Sequence, residues 1–258
     1  MLWQQFERSK RAEGLKDKTL REYYRDCEAF ATWAEHTYGQ RFKVDKPMLD
    51  HYMANLSKTD LSAHRRYNIL TALKSFYDWC ENEGIRDNPA RKIKYPKLPS
   101  KTVDTYQQSE IDRVLPLLNN RDALMVRLFL GTGLRAMEMQ ELEVRDIQLD
   151  QRQIHIRKAK MDKEGFVPIP DDLMHDIAHH IARKAPKDKL IGVCKDRMWH
   201  IWDNACKKAG VIPRGLHVMR HTWACDMLLA GISAYDLMHL GRWTDMKMVE
   251  RYAANVST

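Results

Sequence analysis

Pro96 and Pro99 stand three residues apart inside Arg91 to Lys101, and no helix or central strand runs unbroken through such a pair. Five of the eleven positions in that stretch are basic, and the turn Asp87-Asn88-Pro89 leads into it. A segment of this kind suits an extended, solvent-exposed connector. The 258-residue chain is therefore expected to fold as two units, with the boundary near residues 92 to 104. The expected division is a domain over 1–98, a linker over 99–104 and a second domain over 105–258. A connector this basic is also suited to follow a phosphate backbone, and Lys92 and Lys94 are its candidate contacts.

The first part reads as helical. Leu20, Tyr23, Tyr24, Cys27, Phe30, Ala31 and Ala34 recur at three- and four-residue spacings between Thr19 and Tyr38. Pro47 suits a first helical turn, and Met48, Tyr52 and Leu56 continue one apolar face. A third helix over about Leu61 to Glu83 carries the stripe Tyr67, Leu70, Leu73, Phe76, Tyr77 and Cys80, with Gly84 as a left-handed cap.

The second part is mixed. Helices are expected from Ser109, over Arg121 to Leu130 with a stop at Gly131, and again just after Arg135. Ile147 to Leu149, Gln153 to Arg157 and Phe166 to Ile169 carry strand residues separated by turn chemistry, giving a small antiparallel sheet with a hairpin around Lys160 to Gly165. Helices resume over Asp171 to Lys184, Lys195 to Ala209, Val218 to Ala230, Ser233 to Leu240 and Met246 to Asn255. The expected class is mainly α with a small antiparallel β-sheet.

Composition narrows the function. The net charge is +8, and both sides of Ser100 are basic, which favours polyanionic partners and nucleic acid among them. The five cysteines are odd in number, scattered and without a C-x-x-C spacing, so reduced, mostly buried thiols are expected rather than disulfides or structural zinc. No apolar run approaches the length of a membrane span, and charge interrupts the first eight residues at once, unlike a secretory signal. A cytoplasmic, nucleoid-associated protein is expected.

Four segments of the second part carry distinctive chemistry. Gly131-Thr-Gly-Leu-Arg135-Ala-Met-Glu138 closes one helix and opens another, placing a guanidinium near a helix N-terminus, where an anion is favoured, with an acid three residues on to orient it. Taken alone, such an i,i+3 pair is more often an ordinary surface ion pair. Lys158 to Pro168 puts Lys160 on a charged hairpin. His217-Val-Met-Arg220-His221 opens a helix on which His217 and Arg220 share a face, so both can address one phosphate; His221 points elsewhere and reads as structural. Gly241-Arg242-Trp243 precedes a short helix near whose end stands Tyr252, a residue type that usually packs.

Taken together, the order and spacing of these segments resemble the tyrosine recombinase family, which includes the phage integrases, Cre and the Xer recombinases. The family's pattern of Arg, hairpin Lys, His-x-x-Arg, His or Trp, and Tyr maps onto Arg135, Lys160, His217, Arg220, Trp243 and Tyr252, and its acid after the first Arg maps onto Glu138. The interval of nine residues from Trp243 to Tyr252 matches the family. Two departures stand out: the family's Leu-Gly-His is here Leu240-Gly241-Arg242-Trp243, and the usual glycines around the hairpin lysine are missing. The first part, closing on Gly84 to Pro89, is similar to the family's helical, SAM-like core-binding domain.

The resemblance implies a C-shaped clamp on double-stranded DNA that carries an inverted-repeat core site. It implies a homotetramer in the synaptic complex, with accessory DNA-bending proteins as further possible partners. Arg65, Arg66 and Lys74 on the third helix become candidate groove or phosphate contacts. Tyr252 would be the nucleophile, Arg135 and Arg220 would clamp the phosphate oxygens, and Trp243 would buttress them. His217 would assist proton transfer and Lys160 would protonate the leaving 5′-hydroxyl. No metal or other cofactor is called for, because fixed guanidinium groups supply the positive charge. His175, His179 and His180 beside Asp171, Asp172 and Asp176 are accordingly expected to be a solvated helix face. Rival readings are a type IB topoisomerase and a catalytically silent DNA-binding protein on the same fold.

Overall fold

The computed structural model of the chain describes residues 2–41, 43–99, 103–157 and 164–256. The backbone divides into two compact units, Met1–Ser100 and Lys101–Thr258.

The first unit is built from α1 (Leu2–Ala12), α2 (Asp17–Tyr38), α3 (Lys46–Ser57) and α4 (Ala63–Asn82). Local chemistry sets the ends. Asp45 accepts from the Met48 amide at 2.9 Å ahead of Pro47, and the Ser62 hydroxyl accepts from the Arg65 amide at 3.2 Å. Phe30, Leu49, Leu70 and Leu73 fill the core between α2, α3 and α4. The sequence offered no helix for the first residues, yet α1 forms. It does so by burying Phe6 against Phe76 and Trp79, so tertiary packing supplies what an unremarkable local pattern does not. The connector is also less free than its prolines suggest. Ile93 is buried, Tyr95 stacks on Tyr67 of α4 at 4.3 Å, and the Lys74 ammonium lies 4.8 Å over the Tyr95 ring.

The second unit runs α5 (Gln108–Val114), α6 (Asn120–Thr132), α7 (Ala136–Glu141), β1 (Ile147–Gln148), β2 (Gln153–Ile156), β3 (Gly165–Pro168), α8 (Asp171–Ile181), α9 (Lys195–Lys208), α10 (Leu216–Leu229), α11 (Ala234–Leu240) and α12 (Lys247–Val256). The class is mainly α with one three-stranded antiparallel sheet, in the order β1-β2-β3. Ile154 pairs with Ile147 on one side and Val167 on the other, so the buried residues Ile154, Ile156 and Val167 face the core with Leu128, Phe129, Leu173 and Trp202. A second apolar cluster, Trp223, Leu237, Trp243, Val249 and Tyr252, joins α10, α11 and α12.

Helix α6 does not stop at Gly131 as the sequence suggested. It continues to Thr132 and a left-handed cap at Gly133 with φ of 61°. Gly131 stays helical and lies against the Pro170 and Leu173 side chains, so its small size serves packing. No helix among the described residues is long and apolar enough to cross a membrane.

Candidate active site

The turn after α6 delivers the first cation. At Gly133 the left-handed φ already favours glycine, and a Cβ there would collide with the indole of Trp223 on α10. Leu134 then buries, and Arg135 becomes the N-cap of α7. Glu138 secures it twice: Oε2 accepts from the Arg135 backbone amide at 2.8 Å and Oε1 from Arg135 Nη1 at 2.9 Å. The sequence pair is thus no ordinary surface pair, because Glu138 is buried. Burial by itself would raise its pKa. The charge of Arg242, the Arg135 amide and the Arg242 hydrogen bond outweigh that and hold the carboxyl below its ordinary range.

Helix α10 supplies the second cation. Arg220 is 1% exposed, and its Nη1 and Nη2 donate to the carbonyls of Gly133 and Gly241. Its guanidinium lies 4.5 Å over the Trp243 ring and 5.9 Å from that of Trp223. Desolvation, then the nearby Arg135 charge, pushes its pKa down to about 9, which still leaves a cation at neutrality. Two carbonyls from two different turns therefore aim one buried guanidinium, and its Nε has no partner among the described residues.

The histidines of α10 divide differently from the helical-face reading. His217 stands at the exposed start of the helix, and its ring meets that of His221 edge-on at 4.6 Å. Desolvation, followed by the charges of Arg220, Arg251 and Arg135, lowers the His217 pKa. His221, set aside from sequence as structural, is the one in contact with Tyr252: Nδ1 lies 2.9 Å from the phenol oxygen. Burial first, then His217 and Arg251, pushes His221 down to about 4, so it is neutral at pH 7.

Tyr252 is fully buried on α12, with its ring 5.3 Å from that of Trp243. Arg251 Nη2 donates to its hydroxyl at 2.9 Å. The structure thus links Arg135, Glu138, His217, Arg220, Trp243 and Tyr252 through a continuous run of contacts. Lys160, the remaining residue of the expected set, lies outside the described residues. The sequence missed Arg242, Arg251 and His221 as parts of the site. Arg251 and His221 each adjoin a residue that the pattern did select, Tyr252 and Arg220, and that adjacency was their one signal. Arg242 carried a different signal, as the residue by which Leu240-Gly241-Arg242-Trp243 departs from Leu-Gly-His.

The candidate DNA contacts have distinct surroundings. Arg65 Nη1 donates to the buried Asp26 carboxylate at 2.7 Å, so its charge is already matched. Arg66 is half-buried with its Nε unpartnered among the described residues, and Lys74 donates to the Arg91 carbonyl at 3.3 Å. Lys92 and Lys94 are exposed. On α8 the acids pair with arginines, Asp171 with Arg152 and both Asp172 and Asp176 with Arg127, while His180 Nε2 lies 2.7 Å from the Leu190 carbonyl. Among the described residues no group of three or more His, Cys, Asp or Glu is placed to hold a metal ion.

Comparison with known proteins gives a consistent answer. The model of the phage integrase family matches residues 105–257, and that of the phage integrase N-terminal SAM-like domain matches residues 4–84. A tyrosine recombinase of Pseudothermotoga lettingae is 27% identical over 231 residues, spanning 85% of this chain and 81% of its own. Tyrosine recombinase XerD of Xanthomonas axonopodis pv. citri is 24% identical over 256 residues, spanning 88% and 84%. Among solved structures, a lambda integrase dimer bound to a COC′ core site matches in fold, with a TM-score of 0.78 at 16% identity over 98% of this chain and 94% of that one.

Proposed function

This chain belongs to the phage integrase family of tyrosine recombinases, and from that premise we propose that it recombines DNA site-specifically through a 3′-phosphotyrosine bond at Tyr252. The observation that supports the reading is the linked set Arg135–Glu138, Arg220, Trp243 and Tyr252, in which the Trp243 ring lies against both the Arg220 guanidinium and the Tyr252 ring.

The chemistry follows from charge. Attack on a phosphodiester builds negative charge on the non-bridging oxygens, and pre-aimed cations stabilise it without reorganisation. Arg135 and Arg220 are the groups for this task, and a planar fork suits phosphate better than an ammonium does. The Tyr252 oxygen attacks phosphorus, the bond to the 5′-oxygen breaks, and the 3′-phosphate becomes attached to Tyr252. The phenolic proton leaves to a histidine of α10, and the departing 5′-oxygen takes a proton from Lys160. Because the phosphotyrosine retains the energy of the broken ester, a second 5′-hydroxyl reverses the step and rejoins the strand. Duplex DNA with an inverted-repeat core is the substrate, and four copies of the chain act together on two such sites. Tyr252 is buried at rest, so the reading requires α12 to shift when DNA occupies the site.

The test is covalent capture. Protein is mixed with nicked fragments of its source genome, denatured, and the covalently bound DNA is sequenced, with Tyr252→Phe in parallel. Recovery of one imperfect inverted repeat by the unsubstituted protein alone is the expected result. Diffuse capture across the genome would identify a topoisomerase instead, and no capture from a protein that binds DNA would identify a silent binder.

A further inference from the structure

Arg242 occupies a position where the backbone favours glycine. It follows α11 with φ of 54°, its amide donating to the His239 carbonyl at 2.9 Å while the Trp243 amide reaches the Met238 carbonyl at 3.0 Å. That hydrogen-bond pair is the Schellman termination, whose left-handed residue is usually glycine because a Cβ is strained there. The strain of a Cβ there has to be offset by what the side chain contacts.

The side chain turns inward. It is 5% exposed, and Nη2 lies 2.6 Å from Glu138 Oε2. Its Cδ packs against Gly165 at the start of β3, where an added Cβ would come within 3.2 Å. The same turn anchors the other cation, since the Gly241 carbonyl accepts from Arg220 and Trp243 covers the Arg220 guanidinium. One short turn therefore holds Arg220 by its backbone and, through Arg242 and Glu138, holds Arg135 by a side chain.

Charge balance explains why the second guanidinium matters. Glu138 is buried, and a buried carboxylate needs a full complement of partners. With Arg242 present, Oε1 of Glu138 engages Arg135 Nη1 while Oε2 is shared between the Arg135 amide and Arg242. Without Arg242, the carboxylate keeps only Arg135 as a cationic partner among the described residues and draws the whole fork toward itself, away from any phosphate.

Building on the strand-cleavage reading, we propose that Arg242 is a positioning residue that keeps Arg135 aimed at the phosphate by satisfying the second half of Glu138. It also ties that pair to the root of β3, which follows the segment bearing Lys160. Arg242 touches neither substrate nor leaving group; it acts through Glu138.

The experiment compares Arg242→Met, Arg242→Lys and the double substitution Arg242→Met with Glu138→Gln. DNA affinity and the single-turnover rate of covalent complex formation at saturating DNA are measured for each. Arg242→Met is expected to slow cleavage by about 30-fold or more with affinity within about threefold, as for a lost transition-state donor. Arg242→Lys should retain an intermediate rate. The double substitution should recover at least about tenfold over Arg242→Met, because a neutral amide at position 138 still caps α7 without capturing Arg135. A wild-type rate in Arg242→Met overturns the proposal, as does a double substitution no faster than the single one, since Arg242 would then act by direct contact or through general folding. If the unsubstituted protein forms no covalent complex while still binding DNA, the cleavage reading itself fails and this proposal falls with it.

Discussion

His221 Nδ1 lies 2.9 Å from the Tyr252 hydroxyl oxygen, joining the second turn of α10 to the middle of α12. Arg251 Nη2, also 2.9 Å away, can only donate, so the phenol oxygen accepts from it and its own proton is free to point to His221. A neutral imidazole with its proton on Nε2 can accept it, and the lowering of the His221 pKa to about 4 keeps the ring neutral. On the proposed reaction, His221 is the histidine in reach of the phenolic proton. Replacing it by Gln retains an oxygen acceptor but removes the base. His221→Gln is expected to slow single-turnover cleavage by about 100-fold, the lower end for proton-transfer catalysis, with DNA affinity within about twofold. A rate within about twofold of the unsubstituted protein would leave His217 as the sole participant.

The same two histidines link stability to pH. Both have pKa values lowered in the folded protein, first by desolvation and then by neighbouring positive charge, His221 to about 4. An unfolded histidine protonates at about pH 6.5. Between about pH 6.5 and 4 the unfolded chain therefore binds protons that the folded one refuses, and stability falls as pH falls. Glu138, whose pKa is depressed, adds to the loss at the acid end, where protonation removes its pairing with Arg242 and Arg135. Urea midpoints at about pH 7, 6 and 5 should decline steadily, and the decline should be shallower in His221→Gln. An equal slope in both proteins would show that His221 does not titrate differently on folding.

Gly133 and Gly210 separate backbone strain from crowding. Both have positive φ, 61° and 66°, but an added Cβ at Gly210 meets nothing within 4 Å whereas at Gly133 it runs into Trp223. Gly210→Ala is expected to cost about 1 kcal/mol, the usual strain of a left-handed alanine. Gly133→Ala adds overpacking and should reach about 3 kcal/mol, and it should also slow cleavage, because the Gly133 carbonyl anchors Arg220. Denaturation midpoints compare the pair; equal losses would mean that α10 yields readily to the intruding methyl.

Periodicity made α2, α3 and α4 legible, because each buries one face and ends on recognisable capping chemistry. The mainly α class with its small sheet was legible for the same reason, through β-branched residues bounded by turns. What the pattern could not give was α1, whose stability rests on contacts with α4, remote in sequence. The helix-face argument grouped His217 with Arg220 and set His221 aside as structural, since a single helix carries no information about α12 packing beside it. Arg242 was visible only as a departure from Leu-Gly-His. Its partner Glu138 is 104 residues away, a separation no local spacing rule spans.

Arg65 and the connector lysines should behave oppositely on substitution. Asp26 is 3% exposed, and Arg65 is its bidentate partner, so removing Arg65 leaves a buried carboxylate with the looser Arg25 contact at 3.5 Å as its remaining ion pair among the described residues. Breaking a buried pair costs about 3–5 kcal/mol, and solvent reaching Arg65, whose side chain is 31% exposed, reduces the expected loss to about 2 kcal/mol. Arg65→Ala should therefore weaken DNA binding mainly by destabilising the first unit, with little change in the salt dependence of whatever folded protein remains. Lys92 and Lys94 are exposed and flank the buried Ile93. If each neutralises one phosphate, Lys92→Ala with Lys94→Ala should leave the thermal midpoint unchanged and reduce the slope of log affinity against log salt by about 1.8, at about 0.9 per released counterion. An unaltered slope would remove both lysines from the DNA interface.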